Sequence, residues 1–548
     1  MPSTASTQFP QLDQDIKPEA VHIDNIDYDG DIKKESIPSP VVQMKSSLDD
    51  LSTWQAIKRY KRICAICMMA AFAASLEGYQ INLNGSIVSN KGFIEMMAGK
   101  NAKILDGKYV SAWGGIQSAG QFLGQILLPF ITNRFGRKPA MYAIWIVLVV
   151  SIAIETVTST YWHWLIAKLF AGIGVGCIQA TLPVYIGEHS PNQLRGFLIN
   201  AYTFWFVVGQ MIAPVVLREM AAHSPMDFKT PILTQWGMIG VLLLIFVYLP
   251  ESPWWLVTKG KVAQAESILF KNNGHIQGYD VKQQIGIMEA TLEAERLAAE
   301  ASASIGRFEL FKGRNGIRML ISLWPKLMQQ FVGLTLFNTY STYFFQVAGN
   351  KNPFQVTIIL ACVQLISVLL TAAFSDGFGR RPLVLTGYAL TVVSVLCLGI
   401  VGCFDYEKPA LGALLIFFAC LAIFSTTGAS AIGYAYVAEV PTQRLRAISA
   451  SYGLAITNLV AIMFSFVAPI MIKGSGDFKG WKAKAGFFYA GTGIPTVVLA
   501  YFIVPEVARR SPAEIDELFE SGISLRKFKG HKTEVELNHE ARNIEHDA

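Results

Sequence analysis

A run of polar side chains interrupts the otherwise apolar stretch 318–346: Gln329, Gln330, Thr335, Asn338, Tyr340 and Tyr343. A carboxamide both donates and accepts hydrogen bonds, so paired glutamines suit ligand hydroxyls, which do the same, and they need no charge to do so. Polar groups inside a membrane helix are costly and generally face the interior of the bundle, which makes this run a candidate binding wall. Glu77 suggests a second chemistry. It is an acid deep in the apolar stretch 62–85, and a carboxyl in such a place can bind and release a proton. Nothing points to an enzyme: there is no glycine-rich nucleotide loop, no metal-ligand spacing and no Ser/His/Asp grouping. Catalytic residues, metal residues, cofactors and nucleic-acid partners are all expected to be none. Of the seven cysteines, Cys64 and Cys67 have CxxC spacing but no second pair, and read as small buried residues.

The elements that must position these groups are membrane helices. The chain has 548 residues, 52% apolar and 16% charged, against about 25% charged in soluble domains. Twelve apolar stretches approach the roughly twenty residues needed to cross hydrocarbon: 62–85, 109–132, 139–158, 162–186, 196–219, 230–249, 318–346, 354–375, 382–403, 410–438, 447–472 and 483–504. Three cassettes occur twice in the same order. Asn133-Arg-Phe-Gly-Arg-Lys138 recurs as Asp376-Gly-Phe-Gly-Arg-Arg381. Tyr185-Ile-Gly-Glu-His-Ser-Pro-Asn-Gln-Leu-Arg-Gly196 recurs as Tyr436-Val-Ala-Glu-Val-Pro-Thr-Gln-Arg-Leu-Arg-Ala447, and Leu249-Pro-Glu251 as Val504-Pro-Glu506. The offsets (136 to 379, 188 to 439, 251 to 506) are 243, 251 and 255 residues, close to half the chain. Such a repeat predicts an all-α, polytopic fold of two parallel six-helix halves.

The predicted partition is a disordered tail over 1–56, a six-helix bundle over 57–255, a charged helical linker over 256–317 that includes the Ala/Glu-rich 287–303, a second bundle over 318–508, and a tail over 509–548 in which Ala513–Phe519 could form a short helix. Lys58, Arg59, Lys61 and Arg62 precede the first stretch, and Arg134, Arg137, Lys138, Arg195, Arg380, Arg381, Arg444 and Arg446 fill short loops on the same side. This bias places both termini and the linker in the cytoplasm. The segments 86–108 and 473–484, with four lysines each, run against it.

Together these motifs, with Pro250-Glu-Ser-Pro-Trp-Trp-Leu256 and Gln329-Gln-Phe-Val-Gly333, resemble the major facilitator superfamily and, within it, the sugar porters, over roughly 60–520. Leu76-Glu-Gly-Tyr79 and Tyr340-Ser-Thr-Tyr-Phe-Phe-Gln-Val-Ala-Gly349 look most like the fungal maltose/α-glucoside permeases. The resemblance implies a monomeric carrier of the plasma membrane, with a sugar and possibly protons as its partners. It implies that Gln329, Gln330 and Gln210 contact sugar hydroxyls, and that Tyr340 and Tyr434 offer aromatic faces to the ring; Thr335, Asn338 and Tyr343 are further candidates. It also implies a gate at the cytoplasmic surface, in which Arg137, Glu188, Arg195 and Glu251 and their counterparts Arg380, Glu439, Arg446 and Glu506 pair across helices and separate. Asn133 stands where the family has Asp, a weaker lock by one ion pair, while Asp376 keeps it.

Proton coupling has two candidate participants. In proton-linked relatives the first stretch reads Glu-Gly-Tyr-Asp; here it reads Glu77-Gly78-Tyr79-Gln80, and Gln121 replaces a second acid. Lys168 stands where the xylose–proton symporter has an Arg. Either Glu77 and Lys168 pair, or Lys168 faces elsewhere and Glu77 is the one coupling acid. Lys168 is also the one intramembrane cation considered as a partner for a substrate carboxylate. The leading expectation is a sugar:proton symporter; the alternatives are an uncoupled facilitator and a sugar sensor. Asn84-Gly-Ser86 matches a glycosylation sequon at the edge of the first stretch.

Overall fold

In hydrocarbon every backbone N–H must be satisfied within its own segment, so apolar runs of this length become helices. The computed structural model describes residues 53–191, 194–276, 278–303, 313–404, 408–441, 446–508, 510, 512–531 and 533, all within one compact unit, Lys45–Ala548. The side chains of some residues inside helices, among them Asp376, Glu439 and Arg446, lie outside the described residues. The same is true of the expected tail 1–56 as far as residue 52.

The helices run in order as α1 (Thr53–Arg59), α2 (Lys61–Ser86), α3 (Lys91–Ala98), α4 (Gly107–Phe135), α5 (Arg137–Thr156), α6 (Tyr161–His189), α7 (Arg195–His223) and α8 (Lys229–Tyr248). The linker follows as α9 (Pro253–Thr258), α10 (Val262–Asn273) and α11 (Val281–Ala303). The second half holds α12 (Gly313–Phe331), α13 (Leu334–Asn338), α14 (Ser341–Val347), α15 (Pro353–Phe378), α16 (Arg380–Val401), α17 (Pro409–Glu439), α18 (Arg446–Lys473) and α19 (Ala485–Ile503), and α20 (Pro512–Glu520) lies beyond it. One two-residue strand pair, Gly474–Ser475 with Phe478–Lys479, accompanies them.

Ten helices among the described residues are long and apolar enough to cross a membrane. The two expected stretches that are not among them have identifiable reasons. Stretch 109–132 is the continuous α4, diluted by Ser111, Gln117, Ser118, Gln121 and Gln125. Stretch 318–346 is broken into α12, α13 and α14, because Gly333 turns the chain with φ 94° and a second break falls at Thr339–Tyr340.

Within a membrane, helices associate through small residues that let backbones approach. In the first half a Cβ on Gly172 or Gly176 of α6 would lie 2.1 Å from the carbonyl oxygen of Gln117 or Gln121 on α4. Gly120 and Gly124 return the contact, at 2.5 Å from Leu169 O and 2.3 Å from Ile173 O. Gly78 and Gly209 seat α2 against α7 in the same way.

The apolar core shows how the halves meet. One cluster includes Leu83, Val110 and Trp113 of the first half together with Tyr340, Phe344, Phe464 and Tyr489 of the second. It lies toward the end where α2 finishes at Ser86. At the other end, called here the basic end because it carries Arg137, Arg195 and Arg380, each half has its own cluster. Several hydrogen bonds between the halves lie toward the Ser86 end, while Asn458 Nδ2 donates to Gln125 Oε1 nearer the middle of α4 and α18. Ser86 and Thr342 share one at 2.8 Å, Tyr343 donates to Leu105 O at 2.9 Å, Ser118 donates to Ser465 at 2.9 Å, and Ser111 donates to Phe466 O.

Each half also has a covering piece at the basic end. The linker forms an apolar cluster of Trp255, Leu256, Leu269, Ile285 and Met288, and it is tied to the first half where Arg62 Nη1 donates to Lys271 O at 2.7 Å. α20 buries Ile515 and Leu518 under the second half, and Asp516 pairs with Arg318 at 2.5 Å.

Replacing Gly209 with Val should push α7 away from Ser75 O, where a Cβ would sit at 1.9 Å. The expected cost is about 1–3 kcal/mol, read as a lower thermal unfolding midpoint in detergent; an unchanged midpoint would show that this crossing is not tight.

Candidate functional site

The breaks in α12–α14 place a cluster of carboxamides between the halves. Gln330 accepts from Thr335 Oγ1 at 2.9 Å, across the break at Gly333, and Gln329 accepts from Ser430 Oγ on α17. Each glutamine thus spends its carbonyl oxygen on the protein, and among the described residues neither amide nitrogen has a protein partner. Asn338 accepts from Gln210 of the first half at 3.0 Å and from Gln364 on α15 at 3.4 Å. Gln210 Oε1 is buried with no hydrogen-bond partner. An orphaned acceptor of this kind costs roughly 1–3 kcal/mol unless something donates to it, and a ligand hydroxyl could do so.

Five of the eight candidate binding residues therefore come together: Gln210, Gln329, Gln330, Thr335 and Asn338. Tyr434 on α17 joins them, 56% exposed, one turn beyond Ser430. Tyr340 and Tyr343 go elsewhere. Both are fully buried toward the Ser86 end, where their hydroxyls donate to Ser465 O and Leu105 O, each at 2.9 Å. The reason is the second break: side-chain directions beyond Thr339 do not continue those of α12.

Sequence reasoning missed Lys326. It is buried, one turn before the paired glutamines. Its Nζ donates to Ser430 Oγ at 3.1 Å and lies 3.5 Å from the Tyr434 ring centroid. The available signal was spacing, since positions 326, 329 and 330 fall on one helix face. Lys168 is accordingly not the sole intramembrane cation.

In the first half Glu77 is buried and accepts from Gln179 Nε2 at 2.7 Å and from the Tyr202 hydroxyl. It does not pair with Lys168. Lys168 instead meets Glu155 at 2.8 Å, both side chains 0% exposed. Gln80 and Gln235 complete a ring: Lys168 donates to Gln80 Oε1 at 3.2 Å, Gln80 Nε2 to Gln235 Oε1 at 2.5 Å, and Gln235 Nε2 to Glu155 Oε2 at 2.8 Å. Glu155, a second buried acid, was also missed. It ends α5, Lys168 lies two turns into α6, and the short antiparallel connection brings them to equal depth. Asn84 corrects the glycosylation expectation. It is helical, 2% exposed and donates to Gln117 Oε1 at 2.5 Å, so it is not the exposed loop residue an acceptor sequon requires.

At the basic end, Arg137 grips Glu188 at two points, Nε to Oε2 at 3.0 Å and Nη2 to Oε1 at 2.5 Å. Glu251 and Glu506 do something other than the expected pairing between side chains. Glu251 accepts from the backbone N–H groups of Arg137 at 2.9 Å and Lys138 at 3.1 Å. Glu506 accepts from those of Arg380 and Arg381, both at 3.1 Å. Each carboxylate thus caps the positive N-terminus of the helix that opens after a repeated Gly turn. Arg195 is exposed and donates to Gly187 O at 3.1 Å. The side chains of Glu439 and Arg446 lie outside the described residues. Among the described residues no ion pair joins the two halves at this end.

With this geometry in place, the sugar (and other) transporter family model matches residues 66–519. The general alpha-glucoside permease of Saccharomyces cerevisiae is 28% identical over 490 residues, covering 86% of this chain and 78% of that protein. The MFS transporter fmqE of Aspergillus fumigatus is 26% identical over 535 residues, covering 95% and 98%. In fold, the chain is similar to the inward open xylose transporter XylE from E. coli, with a TM-score of 0.67 and 22% identity over 83% of this chain and 99% of that one.

The Lys168–Glu155 pair yields a stability prediction. Lys168→Met leaves Glu155 as a buried, uncompensated charge and should cost about 3–5 kcal/mol. Adding Glu155→Gln to Lys168→Met should recover much of that loss. Detergent unfolding curves of the two variants test it; a double variant no more stable than the single one would refute the pairing.

Proposed function

Since the chain belongs to the sugar (and other) transporter family, we propose that it is a secondary active carrier of the plasma membrane that moves a sugar or glycoside together with a proton by alternating access. The observation that carries this reading is the amide cluster. Gln210 from one half and Gln329, Gln330 and Asn338 from the other converge with donors and an acceptor left over. Carboxamides serve hydroxyls without charge, which suits a polyol. α-Glucosides are the first substrates to try, because the yeast relative is named a permease for them.

Rocking of the two halves about this cluster would expose it to each side in turn. The state described here is closed near Ser86, with separate cores at the basic end, which supports reading the basic end as open and facing the cytoplasm. Glu77 is the coupling acid in this proposal. It is buried and held by neutral donors, so a proton can come and go there without breaking an ion pair. Lys168 supports the coupling half of the site by fixing the Glu155–Gln235–Gln80 ring, whose Gln80 lies on the same helix as Glu77.

Radiolabelled maltose uptake in yeast lacking its own sugar carriers tests the reading. Concentrative uptake that collapses with a protonophore is expected, and Glu77→Gln should abolish accumulation while allowing equilibration. Uptake that only equilibrates in the wild type would favour a facilitator, with the amides Gln80 and Gln121 as the reason. Gln330→Ala should lower uptake about tenfold at normal surface expression, the loss of one good hydrogen bond; unchanged uptake would remove Gln330 from the binding wall.

A further inference from the structure

We propose that Lys326 receives a carboxylate on the transported molecule, so that the preferred substrate is a polyhydroxylated monocarboxylate such as a sugar acid. The inference rests on the carrier reading above and sharpens its substrate class.

Among the described residues, the two other Lys and Arg side chains buried to the same degree as Lys326 each hold a carboxylate: Lys168 holds Glu155 at 2.8 Å and Arg318 holds Asp516 at 2.5 Å. Lys326, 5% exposed, holds none among the described residues; its partners are the Ser430 hydroxyl and the face of Tyr434. A hydroxyl and a π face attract an ammonium but do not neutralise it. A buried cation without a counter-ion is expensive in a membrane bundle and marks a functional site there.

The position is that of a binding group. Ser430 Oγ is shared: it receives a hydrogen bond from Lys326 and donates one to Gln329. The cation and the first of the paired glutamines are therefore two links of one chain. The backbones of α12 and α17 touch at this level, since a Cβ on Gly433 would lie 3.1 Å from Lys326 N and Cα. That contact fixes Ser430 and Tyr434 over the ammonium. An ammonium has three donors; one is spent on Ser430 and a second faces Tyr434, which leaves one for a ligand. A ligand whose hydroxyls engage Gln329 and Gln330 would bring a carboxylate carbon of the same ring to Lys326.

The test compares D-glucose with D-glucuronate, which differ only in a hydroxymethyl replaced by a carboxylate. Binding is measured by calorimetry on the full-length protein in detergent, with quinate as a carboxylate on a carbocyclic polyol. A charged hydrogen bond predicts that the wild type binds glucuronate about 10- to 100-fold more tightly than glucose. That ratio should collapse in Lys326→Gln and persist in Lys326→Arg. If Lys326→Gln fails to fold, the wild-type ratio decides alone. Glucose bound as tightly as glucuronate, or a ratio that Lys326→Gln does not move, would overturn the inference and leave the sugar-carrier reading standing. Binding of quinate alone, lost in Lys326→Gln, would uphold the anion site and overturn the sugar reading. No binding of any of the three to cooperatively folded protein would overturn both.

Discussion

A polar atom buried inside a membrane bundle must find a partner, because neither lipid nor a packed core supplies one. This constraint orders the whole interior. In the first half it is met within one ring, where Lys168, Glu155, Gln80 and Gln235 join and every charge and amide is used. In the second half it is met only in part. Gln329 and Gln330 commit their oxygens and keep their N–H groups, and Lys326 has a hydroxyl and an aromatic face in place of an acid. The saturated ring holds helices together; the unsaturated wall keeps donors unspent.

The two halves use the same scaffold to present these unequal interiors. In each, a glycine with positive φ, Gly136 or Gly379, ends one helix and starts the next, and a glutamate three residues beyond the last helix of that half holds the new helix by its first N–H groups. In each, a tyrosine hydroxyl braces the proline beside that glutamate: Tyr185 to Pro250 O at 2.8 Å and Tyr436 to Pro505 O at 2.7 Å. The recurring Pro-Glu and Gly-Arg residues are thus one structural device used twice. It joins the end of each half to its middle without a contact between halves.

Much of this was legible in the residues. The cassette repeat and the low charged fraction determine a two-part helical membrane fold before any contact is known. The paired glutamines announce themselves by polarity in an apolar run. What could not be read was set across helices. Periodicity places Lys326 on the glutamine face but does not say whether an acid lies opposite. Glu77 and Lys168 look like natural partners along the chain, yet the tight α5–α6 connection gives Lys168 to Glu155 instead. Tyr340 and Tyr343 carry the polarity of site residues, but the turn at Thr339–Tyr340 redirects them into the seam. The sequence pattern reports which face a residue occupies only while the helix is unbroken.

The closed seam near Ser86 is made of neutral groups: hydroxyls, an amide and backbone carbonyls. The basic end carries formal charges at partly exposed sites such as Arg137 and Glu188. Dissolved ions screen exposed charges over about 8 Å at physiological ionic strength and leave a dry neutral contact nearly untouched. The seam and the ion pair of the basic end therefore answer to different features of the solution. The seam itself is held by shape and desolvation, although the lysines of 86–108 and 473–484 surround it, while the partly exposed pair sits in an electrostatic field that the surrounding medium sets.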